Sequence, residues 1–306
     1  MKVEDIKKIL IVGAGTMGQQ IGFLFAVRGF DVVLYDVNES IFKVAMKRMG
    51  DFARRYVRDG KLQPAEVEGV IARISTTADM EEAARDADLV SESVLEDPKL
   101  KGGVFAKLDK ICPKETIFTT NTSTLLPSMF ADATGRPDRF LALHFHNTIL
   151  NSVVDVMPHP GTSSETVEFI CEFAEKRLKQ IVIRVNKENQ GFVFNAMFSS
   201  WLTSAQTLVA NEVASIEDVD RAWMGVMDTM IGPFGIIDNV GLDTAWKIVD
   251  FWAKDTKDPQ AIKNAAFMKD YVDKGYLGVK TKRGFYTYPH PTYTLPGFLT
   301  GRKKND

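Results

Sequence analysis

The chain has 306 residues, 45% of them hydrophobic and 25% charged, a composition typical of a soluble globular protein. Because this length exceeds the usual size of one hydrophobic core, two domains are expected. The formal net charge of −2 gives no electrostatic support for binding nucleic acid or an anionic membrane, and no apolar run approaches the length of a membrane span.

The first predicted elements form a βαβ unit. Residues 9–12 are a short apolar run typical of a buried parallel strand, and residues 16–28 carry apolar side chains at helical spacing. A second, β-branched strand follows at residues 31–35. A unit of this size implies a right-handed crossover between two parallel strands.

The turn between the first strand and the first helix carries the motif GAGTMG. Gly13 permits the tight turn, Gly15 lets the backbone approach a pyrophosphate, and Gly18 lets the helix pack closely on the strand. The free N–H groups and positive dipole end of the helix, where Thr16 and Met17 begin the first turn, are predicted to hold the phosphates.

Asp36 ends the second strand, roughly 20 residues after the glycines. A carboxylate at this position can accept hydrogen bonds from both ribose hydroxyls of NAD and would repel the 2′-phosphate of NADP. No Arg or Lys follows directly. The sequence therefore predicts NAD as the cofactor, the alternative being a glycine turn in an unrelated α/β domain.

Further strands and helices alternate as far as residue 185. Residues 40–85 are strongly charged and are predicted to form a helical arm rather than a core element. Strand-like apolar runs then follow at residues 89–91, 117–119, 140–145 and 181–185. This alternation predicts an α/β fold with a doubly wound parallel sheet of the Rossmann type.

The character of the chain changes at about residue 191, after which strand signals cease. The predicted helices are residues 192–211, 217–230, 242–253 and 261–274. The polar stretch 186–190 is the expected boundary. We therefore predict an NAD-binding Rossmann domain at residues 1–188, including the arm at about 40–85, and an all-helical substrate and dimerisation domain at residues 189–306.

Two polar clusters, residues 120–124 and 143–147, come at the ends of later strands, where ligands bind in open α/β sheets. The second contains His144 and His146, two of the four histidines in the chain. Imidazole suits the proton transfer of an alcohol oxidation at neutral pH, but the two rings share one strand face, so spacing alone does not identify the base. The alternatives are a purely structural role for the two histidines and a metal-binding histidine pair. Because no Cys or further His lies nearby as a third ligand, no metal is predicted.

Five ordered motifs resemble those of the short-chain L-3-hydroxyacyl-CoA dehydrogenases over nearly the whole chain. The motifs are SESVLEDPKLKGGVFAKLDKICPKETIFTTNTSTL, LALHFHN, QGFVFNAM, IGPFGIIDNVGLD and VKTKRGFYTY. The resemblance implies NAD-dependent oxidation of an L-3-hydroxyacyl-CoA to the 3-oxoacyl-CoA, and the reverse reaction, in fatty acid metabolism. It also implies that the second domain builds a homodimer.

The resemblance assigns roles to individual residues. The family's catalytic histidine falls on His144, so that His146 stands where the family has phenylalanine, and its substrate-contacting serine and asparagine fall on Ser123 and Asn195. Four further positions are expected to contact the cofactor: Glu96, Lys101, Asn121 and Asn147.

The chain departs from the family at the partner of the catalytic histidine. The family has a glutamate there, whereas this chain has Asp155, one methylene shorter, after a loop that is one residue shorter and has Thr148 in place of a proline. Either the two shortenings compensate and Asp155 still reaches His144, or Asp155 is only a loop residue and the pair is impaired. The apolar residues that flank Asp155 favour the first reading.

The CoA site also departs from the family, whose serine and lysine on the helical arm would fall on Phe52 and Asp59. Arg54, Arg55 and Arg58 are nearby and could bind the phosphates instead, or could simply form a solvated helix face.

Two other functions therefore remain open. One is a dehydrogenase of a free 3-hydroxy acid, of the gulonate or carnitine type, and the other is a catalytically weak NAD-binding protein. In each case the partner is a small-molecule substrate, and neither nucleic acid nor a membrane is expected. Only Cys112 and Cys171 are present, without zinc or redox spacing, which favours free thiols and a cytoplasmic location.

Overall fold

The computed structural model describes residues 2–301, so residues 302–306 of the predicted second domain lie outside the description. Its eight-stranded sheet has the order β3-β2-β1-β4-β5-β6-β7-β8. The strands are Lys8–Val12 (β1), Asp31–Tyr35 (β2), Ile74–Thr77 (β3), Leu89–Glu92 (β4), Ile117–Thr120 (β5), Phe140–Phe145 (β6), Val153–Pro158 (β7) and Ile181–Arg184 (β8). The strand order reverses between β1 and β4, which is where such sheets bind ligands.

Eleven α-helices accompany the sheet in the described part of the chain. Six precede residue 190: Thr16–Val27 (α1), Ser40–Arg58 (α2), Val67–Ala72 (α3), Met80–Ala84 (α4), Pro98–Leu108 (α5) and Ser164–Glu172 (α6). Five follow: Phe194–Ala210 (α7), Ile216–Met227 (α8), Pro233–Val240 (α9), Leu242–Thr256 (α10) and Pro259–Asp273 (α11). None of the helices within residues 2–301 combines the length and apolarity that a membrane crossing requires.

Apolar side chains cover both faces of the sheet, which explains why the strands β5 and β6 are buried along their whole length. On one face, Phe23 of α1 and Met49 of α2 join the core around β1 and β2. On the other face, Phe105 of α5 stacks on Phe118 of β5, and its ring also contacts Phe140 of β6. The predicted doubly wound α/β fold with a helical second part is confirmed.

Residues 40–85 differ from the predicted helical arm. The buried side chains Ala45, Met49 and Ala53 recur every fourth residue along α2 and pack into the main core, so this helix covers the sheet rather than projecting from it. The intervening charges obscured this apolar stripe in the sequence. The segment also contains a strand, β3, which pairs in parallel with β2 at the edge of the sheet.

A second strand absent from the sequence prediction is β7. It runs antiparallel to β6, and the pairing sets His144 directly opposite Asp155. The reading in which Asp155 belongs to a loop is therefore wrong. Residues directly opposite in an antiparallel pair point to the same face of the sheet, with their Cβ atoms about 5 Å apart.

The compact units of the chain divide between Asn195 and Ala196, and the predicted boundary at residue 188 stays a prediction. In the second unit, Asp220 accepts the backbone N–H groups of Phe234 and Gly235 at the start of α9 and the hydroxyl of Tyr286. Burial raises the pKa of Asp220 to about 6 despite these donors. The motifs IGPFGIIDNVGLD and VKTKRGFYTY thus meet in the core of this unit.

Candidate active site

The glycine-rich turn between β1 and α1 has the shape that a dinucleotide requires. Gly13 has a φ of 101°, and a Cβ there would lie 2.7 Å from the carbonyl oxygen of Ser93. A Cβ on Gly18 would lie 1.8 Å from the carbonyl oxygen of Gly13, whereas one on Gly15 would have nothing within 4 Å. No described side chain caps the first turn of α1, so its backbone N–H groups are available to a pyrophosphate beside Gly15.

Asp36 closes this turn at the end of β2. Its Oδ2 accepts the backbone N–H of Ala14 at 2.8 Å, and its Oδ1 accepts that of Asn38 at 3.0 Å. A surface pocket beside it is lined by Tyr35, Glu39, Thr77, Ala78, Asp79, Met80 and Glu81. Its three carboxylates would repel a 2′-phosphate, so the residues present fit NAD rather than NADP. The edge strand β3 supplies Thr77 to this pocket.

Alanine substitutions of Gly15 and Gly18 should have contrasting effects on stability and on cofactor binding. Gly18→Ala should lower the free energy of unfolding by about 3 kcal/mol or more, because the new Cβ overlaps a backbone oxygen that cannot move aside. Gly15→Ala should fold normally yet bind NADH at least about 10-fold more weakly, because its Cβ fills the space where the pyrophosphate approaches. Chemical denaturation and NADH fluorescence titration check the two effects. Equal NADH affinity of Gly15→Ala and the unaltered protein would contradict this placement of the cofactor.

A buried ionic network includes the last residues of β4 and β5, Glu92 and Thr120. The Nζ atom of Lys101 lies 2.8 and 2.9 Å from the two carboxylate oxygens of Glu92, and both side chains are fully buried. Thr120 donates its hydroxyl hydrogen to Glu92 at 2.6 Å. Burial raises the pKa of Glu92, while Lys101 opposes the rise.

This network extends to Ser123 through Glu96. The Oε2 atom of Glu96 lies 3.3 Å from the Nζ atom of Lys101, and its Oε1 accepts the hydroxyl of Thr122 and the backbone N–H of Ser123. The Glu96 side chain is 41% exposed, so it can still meet a ligand. Lys101 is fully enclosed, and its contact with the exposed part of this network is the one with Glu96. The cofactor contacts of both residues stay predictions.

The pairing of Lys101 with Glu92 predicts a large loss of stability when one partner is removed. Lys101→Met should lower the free energy of unfolding by about 3–5 kcal/mol, because it leaves the Glu92 carboxylate buried without a counter-ion. The double variant Glu92→Gln/Lys101→Met should show a clearly smaller decrease in the free energy of unfolding, because no unpaired charge is left buried. Urea denaturation of both variants measures the difference, and a loss below about 1 kcal/mol for Lys101→Met would show that the pair contributes little.

His144, at the carboxyl end of β6, is held between two partners. Its Nδ1 lies 2.9 Å from Oδ2 of Asp155, and its Nε2 lies 3.2 Å from Oγ of Ser123. His146 directs its Nε2 at the same Oδ2 of Asp155, at 3.0 Å. His144 and Asp155 are buried, whereas Ser123 is exposed.

Burial raises the pKa of Asp155, but the hydrogen bonds from His144 and His146 outweigh it and leave this pKa below its usual value. The carboxyl group is therefore ionised at neutral pH and can only accept hydrogen bonds. Both imidazole nitrogens that face it must carry hydrogen. As a result, Nε2 of neutral His144 keeps its lone pair, which is directed toward Ser123.

The remaining predicted residues lie at the ends of β5 and β6 and at the start of α7. Asn121 accepts the backbone N–H of Phe145 at 2.8 Å and so ties the end of β5 to that of β6. Asn147 accepts the N–H groups of Ile149 and Leu150 in the loop after β6. Asn195 is the second residue of α7.

The three arginines of α2 are engaged with neighbouring aspartates. Arg54 pairs with Asp51, while Arg55 and Arg58 pair with Asp59. The structure shows no contact between these arginines and the residues around His144. They form a charged helix face, and a role in holding a substrate stays a prediction.

Sequence reasoning missed the contact of one histidine and the presence of one aromatic ring at this site. His146 was considered as a base and as part of a metal-binding pair, but its bond to Asp155 was not predicted. Phe192, two residues before the start of α7, has its ring centroid 4.8 Å from that of His144. The signal for His146 was its two-residue spacing from His144, whereas no sequence pattern could place Phe192 against the imidazole.

A dinucleotide turn at the end of β1 and a histidine held by a carboxylate at the end of β6 are the parts that an NAD-dependent dehydrogenase requires. Comparison with known proteins identifies the family of the chain. Residues 8–189 match the NAD-binding domain of 3-hydroxyacyl-CoA dehydrogenase, and residues 191–288 match the C-terminal domain of the same enzymes. The chain therefore belongs to the 3-hydroxyacyl-CoA dehydrogenase family.

Individual relatives are similar over nearly their full length. A probable 3-hydroxybutyryl-CoA dehydrogenase of Bacillus subtilis is 35% identical over 94% of this chain and 99% of its own. The structure of (S)-3-hydroxybutyryl-CoA dehydrogenase from Ralstonia eutropha superposes with a TM-score of 0.82 at 30% identity, covering 92% of this chain and 99% of that one. A diketoreductase, described as performing substrate-directed dual catalysis of dicarbonyl compounds, has a TM-score of 0.85 and 37% identity over 92% and 99% of the two chains.

Proposed function

We propose that this protein oxidises a short-chain L-3-hydroxyacyl-CoA to the 3-oxoacyl-CoA, and catalyses the reverse reaction, with His144 as the acid–base group. The observation that carries the proposal is the position of His144 between Asp155 and Ser123, at the edge of the sheet that also carries the dinucleotide turn. Membership of the 3-hydroxyacyl-CoA dehydrogenase family supports the substrate class.

In the proposed reaction, Nε2 of His144 accepts the proton of the C3 hydroxyl group. NAD, held at the glycine-rich turn and Asp36, would supply the acceptor for the C3 hydride. The anionic Asp155 fixes the ring through Nδ1–H and stabilises the imidazolium that forms. Ser123 donates a hydrogen bond to the reacting oxygen, and Asn195 is proposed to bind the substrate carbonyl.

The CoA phosphates are proposed to meet Arg54, Arg55 and Arg58. Exposed ion pairs of this kind contribute little to stability, so an arginine can leave its aspartate for a phosphate at little cost. Phosphate offers a stronger, bidentate partner.

The similarity to the diketoreductase favours a second candidate, reduction of a dicarbonyl compound or oxidation of a hydroxy acid that carries no CoA. The same base and cofactor would serve that reaction. The third reading, a catalytically weak NAD-binding protein, is disfavoured by the complete set of hydrogen bonds around His144.

The test is NADH consumption by the purified protein with acetoacetyl-CoA, with free acetoacetate and with a dicarbonyl compound that carries no CoA, each repeated with NADPH. Rapid NADH oxidation with the thioester alone supports the proposed function. Turnover of only the CoA-free compounds would replace it with the second candidate. NADH binding without turnover of any compound would support the third reading, a catalytically weak NAD-binding protein.

We further propose a homodimer built by the second unit. Large apolar side chains are exposed at the end of α8 and along α10: Val226, Met227, Met230, Ile248, Phe251 and Trp252. A second copy of the chain would cover such a surface. Sedimentation analysis of the unaltered protein and of Phe251→Glu tests this proposal. We expect the unaltered protein to be a dimer and the variant to be a monomer.

We also propose a cytoplasmic location, which the two free, buried cysteines support.

A further inference from the structure

We propose that His144, His146 and Asp155 form a zinc site, and that Zn²⁺ bound there switches the enzyme off. One ligand atom from each of these residues lies within 4.8 Å of the others. The sequence argument against a metal was that no Cys or further His lies near the two histidines. Strand β7 overturns that argument because it brings a carboxylate to both rings.

The donor set and its geometry suit zinc. Two imidazole nitrogens and a carboxylate oxygen, with a fourth position open to water, are a common zinc coordination. Zinc bonds of about 2.0–2.1 Å place neighbouring ligand atoms about 3.4 Å apart. The two nitrogens are 2.9 and 3.0 Å from Oδ2 of Asp155, so small side-chain shifts would admit the ion.

A second observation points to a ligand at this place. The Oδ1 atom of Asp155 is buried and has no hydrogen-bond partner within residues 2–301, while Oδ2 serves both histidines. An ionised carboxylate with one unpartnered oxygen in a buried setting is costly. A cation bound to this carboxylate would compensate its charge and could be ligated by Oδ1 as well as Oδ2. His146 is 15% exposed and gives the ion a way in from solvent.

Zinc binding would remove the acid–base function without any net change in protons. In the metal-free site the hydrogen of His144 is on Nδ1, facing Asp155. To ligate zinc through Nδ1, the ring must move this hydrogen to Nε2, and His146 must likewise move its hydrogen from Nε2 to Nδ1. His144 then offers Ser123 and the substrate an N–H in place of a lone pair, so it cannot accept the hydroxyl proton.

The inhibition rests on the proposed role of His144, but the binding of zinc does not, so the test measures the two separately. Co²⁺, which replaces zinc and has visible absorption bands in tetrahedral sites, is titrated into the metal-free protein without substrate. Calorimetry with Zn²⁺ gives the stoichiometry and Kd. NADH consumption is then measured with and without Zn²⁺, and after EDTA.

Three variants complete the experiment. His146→Phe removes one ligand, and Asp155→Ala removes the carboxylate. His290→Ala is the control, because His290 is exposed and His159, the remaining histidine, has both ring nitrogens hydrogen-bonded. Circular dichroism and NADH binding verify that each variant is folded.

The expected result is one Zn²⁺ per chain, tetrahedral Co²⁺ bands, inhibition reversed by EDTA, and no effect of Mg²⁺. His146→Phe and Asp155→Ala should bind Zn²⁺ at least about 100-fold more weakly, and His290→Ala as the unaltered protein does. Unchanged zinc affinity in His146→Phe, or no zinc binding by the unaltered protein, would overturn the proposal. A protein that binds zinc here but turns over no substrate even without zinc would refute the proposed function and leave the metal site standing.

Discussion

His144→Ala should lower kcat by about 10²–10⁴-fold, because the reaction loses the group that accepts the hydroxyl proton. NADH affinity should hardly change, since no contact of the glycine-rich turn involves this histidine. The fold should survive as well, because Asp155 keeps the hydrogen bond from Nε2 of His146. Steady-state kinetics and NADH fluorescence, with whichever substrate the protein turns over, measure both quantities.

His144→Gln is the sharper form of the same test. Its amide can still donate to Asp155, but it has no nitrogen that can hold the substrate proton. We expect it to be as inactive as His144→Ala and more stable. His290→Ala, which alters an exposed histidine of the second unit, should keep full activity. If His144→Gln retained a tenth or more of the normal kcat, the base would have to be another group, and His146 would be examined first.

Asp155→Asn should lower kcat by about 10²–10⁴-fold although it preserves the size of the side chain. The same aspartate-to-asparagine change in serine-protease triads lowers kcat by about 10⁴-fold, because the histidine then adopts the wrong tautomer. The asparagine amide can donate to Nδ1 of His144, which moves the ring hydrogen to Nε2 and removes the lone pair that faces Ser123. The imidazolium also loses its counter-ion.

Asp155→Glu is the matched variant for this prediction. It keeps the charge and introduces the acid that the family resemblance implies, so part of the activity should return even though the longer side chain fits imperfectly against His144 and His146. Thermal unfolding of both variants separates a loss of activity from a loss of stability. Equal activity of Asp155→Asn and the unaltered protein would remove Asp155 from the mechanism and leave His144 oriented by its packing alone.

The cofactor site was predictable from the sequence because its parts lie within a single βαβ unit. Gly13, Gly15, Gly18 and Asp36 span fewer than 25 residues, and each has a requirement that local geometry imposes. The strands β1 and β2 were likewise found by their apolar runs. The residues that shape this turn are the same ones that the motif singles out.

The group around His144 was predictable only in part, because it depends on the pairing of β7 with β6. The run Val153–Pro158 contains a charged residue, so it did not read as a buried strand, and its antiparallel direction has no local signal. For the same reason the sequence could not show that His146 bonds Asp155. At α2 the strong charge of residues 40–85 predicted an arm, whereas the buried stripe Ala45, Met49 and Ala53 packs the helix into the core.

The pairing of β6 with β7 also determines which changes in chain length the site can tolerate. The acid faces His144 because the two strands are in register, and the loop at residues 146–152 only connects them. Insertions or deletions in that loop can therefore accumulate without separating the pair. A single residue inserted into β7 would instead turn Asp155 to the opposite face of the sheet. Homologous chains should accordingly vary in the length of the loop but hardly ever in the spacing within either strand.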